Sequence, residues 1–163
     1  MKNKVAYFGV FIALALIFSY IESLIPIMVL IPIPGIKLGL PNLIVLIALY
    51  KMGTKEAYVL SVARVILAGF LFGNMFSIIY SLAGGLLSLT VMVLLKKLEH
   101  FSILGISTAG GVMHNVGQIL VAIVALESVS IAYYLPVLLI SGVITGVVIG
   151  VITNEMLKRL NFF

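Results

Sequence analysis

Polar positions are so sparse along this 163-residue chain that its elements are read from where the apolar runs stop. Apolar runs cover about residues 5–25, 39–51, 55–71, 75–96, 103–126 and 133–158, separated by short groups rich in Lys, Glu, Gly, Asn or Pro. Stretches such as "VAYFGVFIALALIF" do not alternate apolar and polar residues, which excludes the ten-residue alternating strands of a membrane β-barrel. A spanning helix needs about 20 mostly apolar residues, so the chain has room for roughly six spans with short connections and no soluble domain. The expected fold class is an all-α integral membrane protein with six transmembrane helices in one transmembrane domain over residues 1–163.

The second run is the irregular one. From Leu40 or Pro41 to Lys51 there are about twelve residues, or about 18 Å of a hydrocarbon core of about 30 Å. Pro41 suits a helical first turn, whereas Pro32, Pro34 and Gly35 prevent helix before it. Irregular backbone at membrane depth is tolerated only where it is buried in protein or lines a cavity. The loop 26–38 is therefore expected to fold over the outer side of the bundle and dip into it.

Composition agrees: 63% of residues are hydrophobic and 9% charged, against about half apolar in soluble domains. The chain has no Cys, so disulfides and thiol nucleophiles are excluded. A net charge of +5 would suggest nucleic acid in a soluble protein, but there is no soluble basic face here to bind it. The cations instead report topology. Lys2, Lys4, Lys51, Lys55, Lys96, Lys97, Lys158 and Arg159 are eight of the ten Lys and Arg residues, and six spans put all eight on one side. The positive-inside rule makes that side cytoplasmic, with both termini there, in the cell (inner) membrane. Apolar sequence runs on past the small-x-small site Ala13-Leu14-Ala15 with no polar region, so the first run reads as an uncleaved span.

Two cations depart from that rule. Lys37 lies in the irregular loop on the outer side, and Arg64 lies in the middle of "YVLSVARVILAGFLF". A charge in hydrocarbon costs at least a few kcal/mol, so Arg64 is expected to face the bundle interior near a partner. Glu22 falls near the outer end of the first helix, Asn42 and Asn74 at outer helix junctions, and His114, Asn115 and Gln118 near the centre of the fifth. His114 and Gln118 are four residues apart and share a face. Two readings stand: these residues converge on an outward-facing ligand pocket, or they are interhelical hydrogen-bonding and ion-pairing groups that fix packing. The loop folded in on the same side favours the pocket.

Small residues recur every four positions at Gly142, Gly146 and Gly150, at Ser77, Ser81 and Gly85, and at Gly9 and Ala13, as in closely approaching helices. Internal packing is the expected use of the first two sets. Gly9 and Ala13, on the peripheral first helix, are the candidate partner-docking positions.

The chain has no Asp, and three of its five Glu residues (Glu56, Glu99 and Glu155) lie among the cytoplasmic lysines. No carboxylate pair is placed to hold Mg²⁺ or to act as acid and base, and no phosphate-cradling GxxxxGK[ST] loop occurs. Neither a metal site nor a cofactor is expected, and the chain does not read as an enzyme. Six spans without detectable internal repeats also make a poor autonomous secondary transporter, which leaves a binding subunit energised by a partner.

The stretches "PGIKLGLPN" (34–42), "SLAGGLLSLTVM" (81–92) and "GGVMHNVGQ" (110–118) resemble the motifs of the Gx transporter family, whose members are often labelled heptaprenyl diphosphate synthase component I. The resemblance covers nearly the whole chain. That family is grouped with the substrate-binding S components of energy-coupling factor (ECF) transporters. The kinship implies six helices, a small-molecule pocket near the outer face capped by the loop after helix one, and docking on a transmembrane coupling subunit that carries ATPase subunits. S components dock through an Ala-xxx-Ala motif in the first helix, to which Gly9-xxx-Ala13 is an approximate match. The label brings an alternative, a non-catalytic membrane accessory of prenyl diphosphate or quinone metabolism.

Overall fold

A computed structural model describes residues 2–25 and 38–160. The expected loop therefore lies outside the described residues except for Leu38, and Lys37 lies outside them altogether. The described chain forms six α-helices: α1 (Lys2–Leu24), α2 (Leu40–Lys51), α3 (Thr54–Phe72), α4 (Met75–Lys97), α5 (Ile103–Ala125) and α6 (Leu135–Arg159). A 3-10 turn, Val129–Tyr134, leads into α6. No strand occurs among the described residues.

Four helices are long and apolar enough to cross a membrane: α1, α4, α5 and α6 together with its preceding turn. Their outer faces carry exposed aliphatic and aromatic side chains such as Val10, Ile17, Ile79, Leu94, Leu120, Val124, Ile140 and Val151. Such an apolar exterior suits lipid and would be a liability in water. The chain is an all-helical membrane protein. The other two helices differ for distinct reasons. At 12 residues α2 is too short to span unaided, and α3 carries Lys55, Glu56 and Arg64.

The short helix is the most enclosed. Leu43 through Leu49 are all buried, because α2 packs against α1, α3 and α6 at once. A helix that is apolar all round belongs in the interior, and here protein rather than lipid supplies the surroundings. The other half of the bundle is built on α5, which packs along α4 on one side and α6 on the other. Glycine sets the α5–α6 approach: a Cβ on Gly146 would lie 2.6 Å from Thr108 Cα, and one on Gly142 would lie 2.7 Å from the Gly111 carbonyl oxygen. The Gly142-Gly146-Gly150 stripe is thus spent inside the molecule. By contrast Gly9 and Ala13 are exposed, and nothing lies within 4 Å of the Cβ position at Gly9.

The cations gather at one end. Lys4 Nζ pairs with Glu56 at 2.6 Å, joining the starts of α1 and α3. Lys51 Nζ donates to the Leu160 carbonyl at 2.6 Å, and Lys96 Nζ donates to the Leu49 carbonyl at 2.7 Å while lying 4.6 Å from the centroid of the Tyr50 ring. Both lysines satisfy carbonyls that a helix C-terminus leaves without an intrahelical donor. At the opposite end, Asn74 caps α4 reciprocally with Ser77: its side chain accepts the Ser77 N–H at 2.8 Å, and Ser77 Oγ accepts the Asn74 N–H at 3.0 Å.

Candidate functional site

A cavity with polar and apolar walls opens where the two halves meet. All six helices line it, through Glu22 of α1, Pro41, Asn42 and Leu46 of α2, Arg64 of α3, Ser81, Ser88 and Met92 of α4, Ser107, His114 and Asn115 of α5, and Thr145 and Ile149 of α6. Its volume is about 60 Å³, room for on the order of four or five water molecules.

Arg64 is the centre of its electrostatics. The side chain is only 8% exposed, and its Nη2 donates to Asn42 Oδ1 at 2.5 Å. Asn42 is placed to accept because it lies in the first turn of α2, just after Gly39. That glycine has φ +72°, and a Cβ there would come within 3.2 Å of Ile149 Cδ1, so both backbone and space call for glycine. The Gly39 N–H is taken by Glu22 Oε1 at 3.1 Å. Glu22 thereby ties the end of α1 to the start of α2. It lines the same cavity as Arg64, and among the described residues the two form no ion pair within 4.0 Å.

His114 and Asn115 approach from the other half. The His114 ring packs against α4 at Gly84, where a Cβ would lie 3.2 Å from its Cε1. Asn115 Nδ2 donates to the Leu138 carbonyl at 2.5 Å, so its amide ties α5 to α6 as well as lining the cavity.

Of the residues picked out from sequence, Glu22, Asn42, Arg64, His114 and Asn115 meet at this cavity. Two others lie elsewhere. Asn74 is exposed at the α4 cap. Gln118 is 1% exposed beside Gly84, off the cavity wall, and neither polar atom of its side chain has a hydrogen-bond partner among the described residues. Sequence reasoning missed the hydroxyl lining of Ser81, Ser88, Ser107 and Thr145. A signal existed: Ser81 and Ser88 are seven apart, and Ser107, Gly111 and His114 follow at four and then three, each the spacing of one helix face.

The model of one protein family, described as heptaprenyl diphosphate synthase component I, matches residues 11–156. The chain belongs to that family. No match was found among curated proteins or among solved structures. The family's name describes one component of a synthase, which implies a second. Among the described residues, no three His, Asp or Glu side chains come together as a metal-binding group.

Proposed function

We propose that this member of the component I family is a non-catalytic, ligand-binding membrane subunit of the S-component kind, serving an ECF-type uptake system for a small organic molecule. In this reading all six helices are spans and both termini face the cytoplasm of the inner cell membrane. The cations gathered at the terminal end support that orientation. The exposed positions Gly9 and Ala13 on α1 would receive the transmembrane coupling subunit and its ATPases. The observation that carries the reading is a cavity lined from all six helices, with a few convergent polar groups and a buried arginine oriented by an asparagine. Membrane proteins place ionisable groups in their interior chiefly at ligand and ion sites, and a concave site with a few convergent polar groups is where small molecules bind.

The test is direct. Detergent-purified protein is screened by thermal shift against small organic ligands, and the molecules that survive purification are identified by mass spectrometry. A retained or stabilising ligand whose affinity falls at least tenfold in Arg64→Ala, the loss of about one charged hydrogen bond, is expected. Unchanged affinity in that variant would remove Arg64 from the site.

The family name favours a second reading, a non-catalytic membrane accessory of prenyl diphosphate synthesis. Co-purification separates the two: a coupling subunit with ATPases supports uptake, and a soluble prenyl synthase supports the accessory role.

A further inference from the structure

Two opposite charges line one cavity without meeting. Arg64 is buried, and its Nη2 hydrogen bond goes to a neutral acceptor, the Asn42 amide oxygen. Its Nε is buried and has no acceptor among the described residues. Glu22 spends one oxygen on the Gly39 N–H and faces no Lys or Arg within 4.0 Å among the described residues. A buried cation and a nearby carboxylate gain most by direct pairing. Here the anchors keep them apart, Asn42 on one side and Gly39 on the other, so each charge still has capacity for an external partner.

With His114 counted neutral, the described cavity wall carries one cation and one carboxylate, so its formal charge cancels. Such a wall does not suit a diphosphate, which brings several negative charges and calls for several cations or a carboxylate-held metal. It suits a molecule that is itself dipolar. The hydroxyls of Ser88 and Ser107 add neutral donors and acceptors between the helices, and a volume of about 60 Å³ limits the polar head to a few heavy atoms.

We propose that the cavity takes a compact zwitterion, its carboxylate or other monoanion on Arg64 and its cationic nitrogen on Glu22. This rests on the proposed binding function and narrows it to a substrate class. The same chemistry occurs in a free amino acid and in an ethanolamine lipid headgroup, and the experiment distinguishes them.

The chain lacks cysteine, so a single Thr145→Cys substitution on the cavity wall provides a unique thiol reporter. Its labelling by a small neutral thiol reagent is followed in detergent with three competitors of similar size: β-alanine, propionate and propylamine. Protection by β-alanine is expected, slowing labelling about tenfold at ten times its Kd. Propionate and propylamine each lack one charged contact and should bind about tenfold or more weaker. With Glu22→Gln, β-alanine should fall to the level of propionate; with Arg64→Gln it should fall to that of propylamine. Equal protection by β-alanine and propionate in the parent protein would overturn the role of Glu22. Protection by inorganic pyrophosphate but not by β-alanine would overturn the substrate class. Both results leave the binding function standing. A Thr145→Cys protein that labels only after unfolding would instead mean a closed cavity and defeat the binding function itself. Repeating the assay in nanodiscs assigns the source: slowed labelling in phosphatidylethanolamine relative to an uncharged glycolipid, with no added solute, identifies a lipid headgroup, and equal rates identify a free zwitterion.

Discussion

The same Gly-to-Ala change made at two helix faces should have opposite effects. In Gly142→Ala the new Cβ would lie 2.7 Å from the Gly111 carbonyl oxygen, 2.9 Å from the Gly111 carbonyl carbon and 3.0 Å from Asn115 Nδ2. The first two are backbone atoms of α5 and cannot swing aside, so α5 and α6 must part by a few tenths of an ångström. Overpacking of this kind costs about 1–3 kcal/mol. Parting the helices also stretches the bond from Asn115 to Leu138, worth about 0.6 kcal/mol for an interhelical hydrogen bond in a membrane. The higher helix propensity of alanine returns about 0.5–1 kcal/mol. The net expectation is a loss of about 1–3 kcal/mol. At Gly9 nothing lies within 4 Å of the Cβ position, so only the propensity term acts, and Gly9→Ala should be neutral or up to about 1 kcal/mol more stable. Equilibrium unfolding of both variants in one detergent mixture measures the difference. Stabilities within about 0.5 kcal/mol of each other, the usual spread of inconsequential substitutions, would refute the claim that glycine sets the α5–α6 distance.

Three further outcomes follow from the same structure. Arg64→Met should unfold at the same or a higher temperature than the wild type, because replacing a buried charge by an apolar side chain of similar volume is often neutral or stabilising by about 1–4 kcal/mol; it should at the same time lose ligand retention, the two being read by thermal unfolding and mass spectrometry. Leu49→Ala, at a fully buried position of α2, should cost about 2 kcal/mol in the same unfolding assay, at the low end for core truncation because lipid offers a comparable apolar refuge and mainly packing is lost. Asn74→Ala should cost about 1 kcal/mol by removing the α4 cap, with ligand retention unchanged because Asn74 is off the cavity wall.

Much of the candidate site was legible because polar groups are costly in hydrocarbon. In so apolar a chain each interior charge or amide needs a reason, and following Arg64, Glu22, Asn42, His114 and Asn115 led to one cavity. Gln118 and Asn74, picked on the same grounds, lie off the cavity wall. A buried amide beside a glycine and a helix cap are as polar in sequence as a cavity wall, and only their neighbours distinguish them. The hydroxyls were overlooked for the opposite reason. Serine and threonine can return their hydrogen bond to their own helix, as Thr145 does to the Ser141 carbonyl at 3.0 Å, so they carry little signal of where they face.

The sequence by itself determined that the chain is helical and membrane-embedded, that its second helix is too short to span alone, and that its cations collect on one side of the elements. Those properties depend on composition, run length and the position of charges, which are local quantities. The tertiary structure decided which neighbours surround each element. It enclosed α2 on all sides, spent the α6 glycines on α5 while leaving Gly9 open, and held Glu22 and Arg64 on one cavity without letting them pair. The last of these is beyond any pattern along the chain, because it depends on distances between helices fixed by side chains far apart in sequence, and it is the feature on which the proposed ligand chemistry rests.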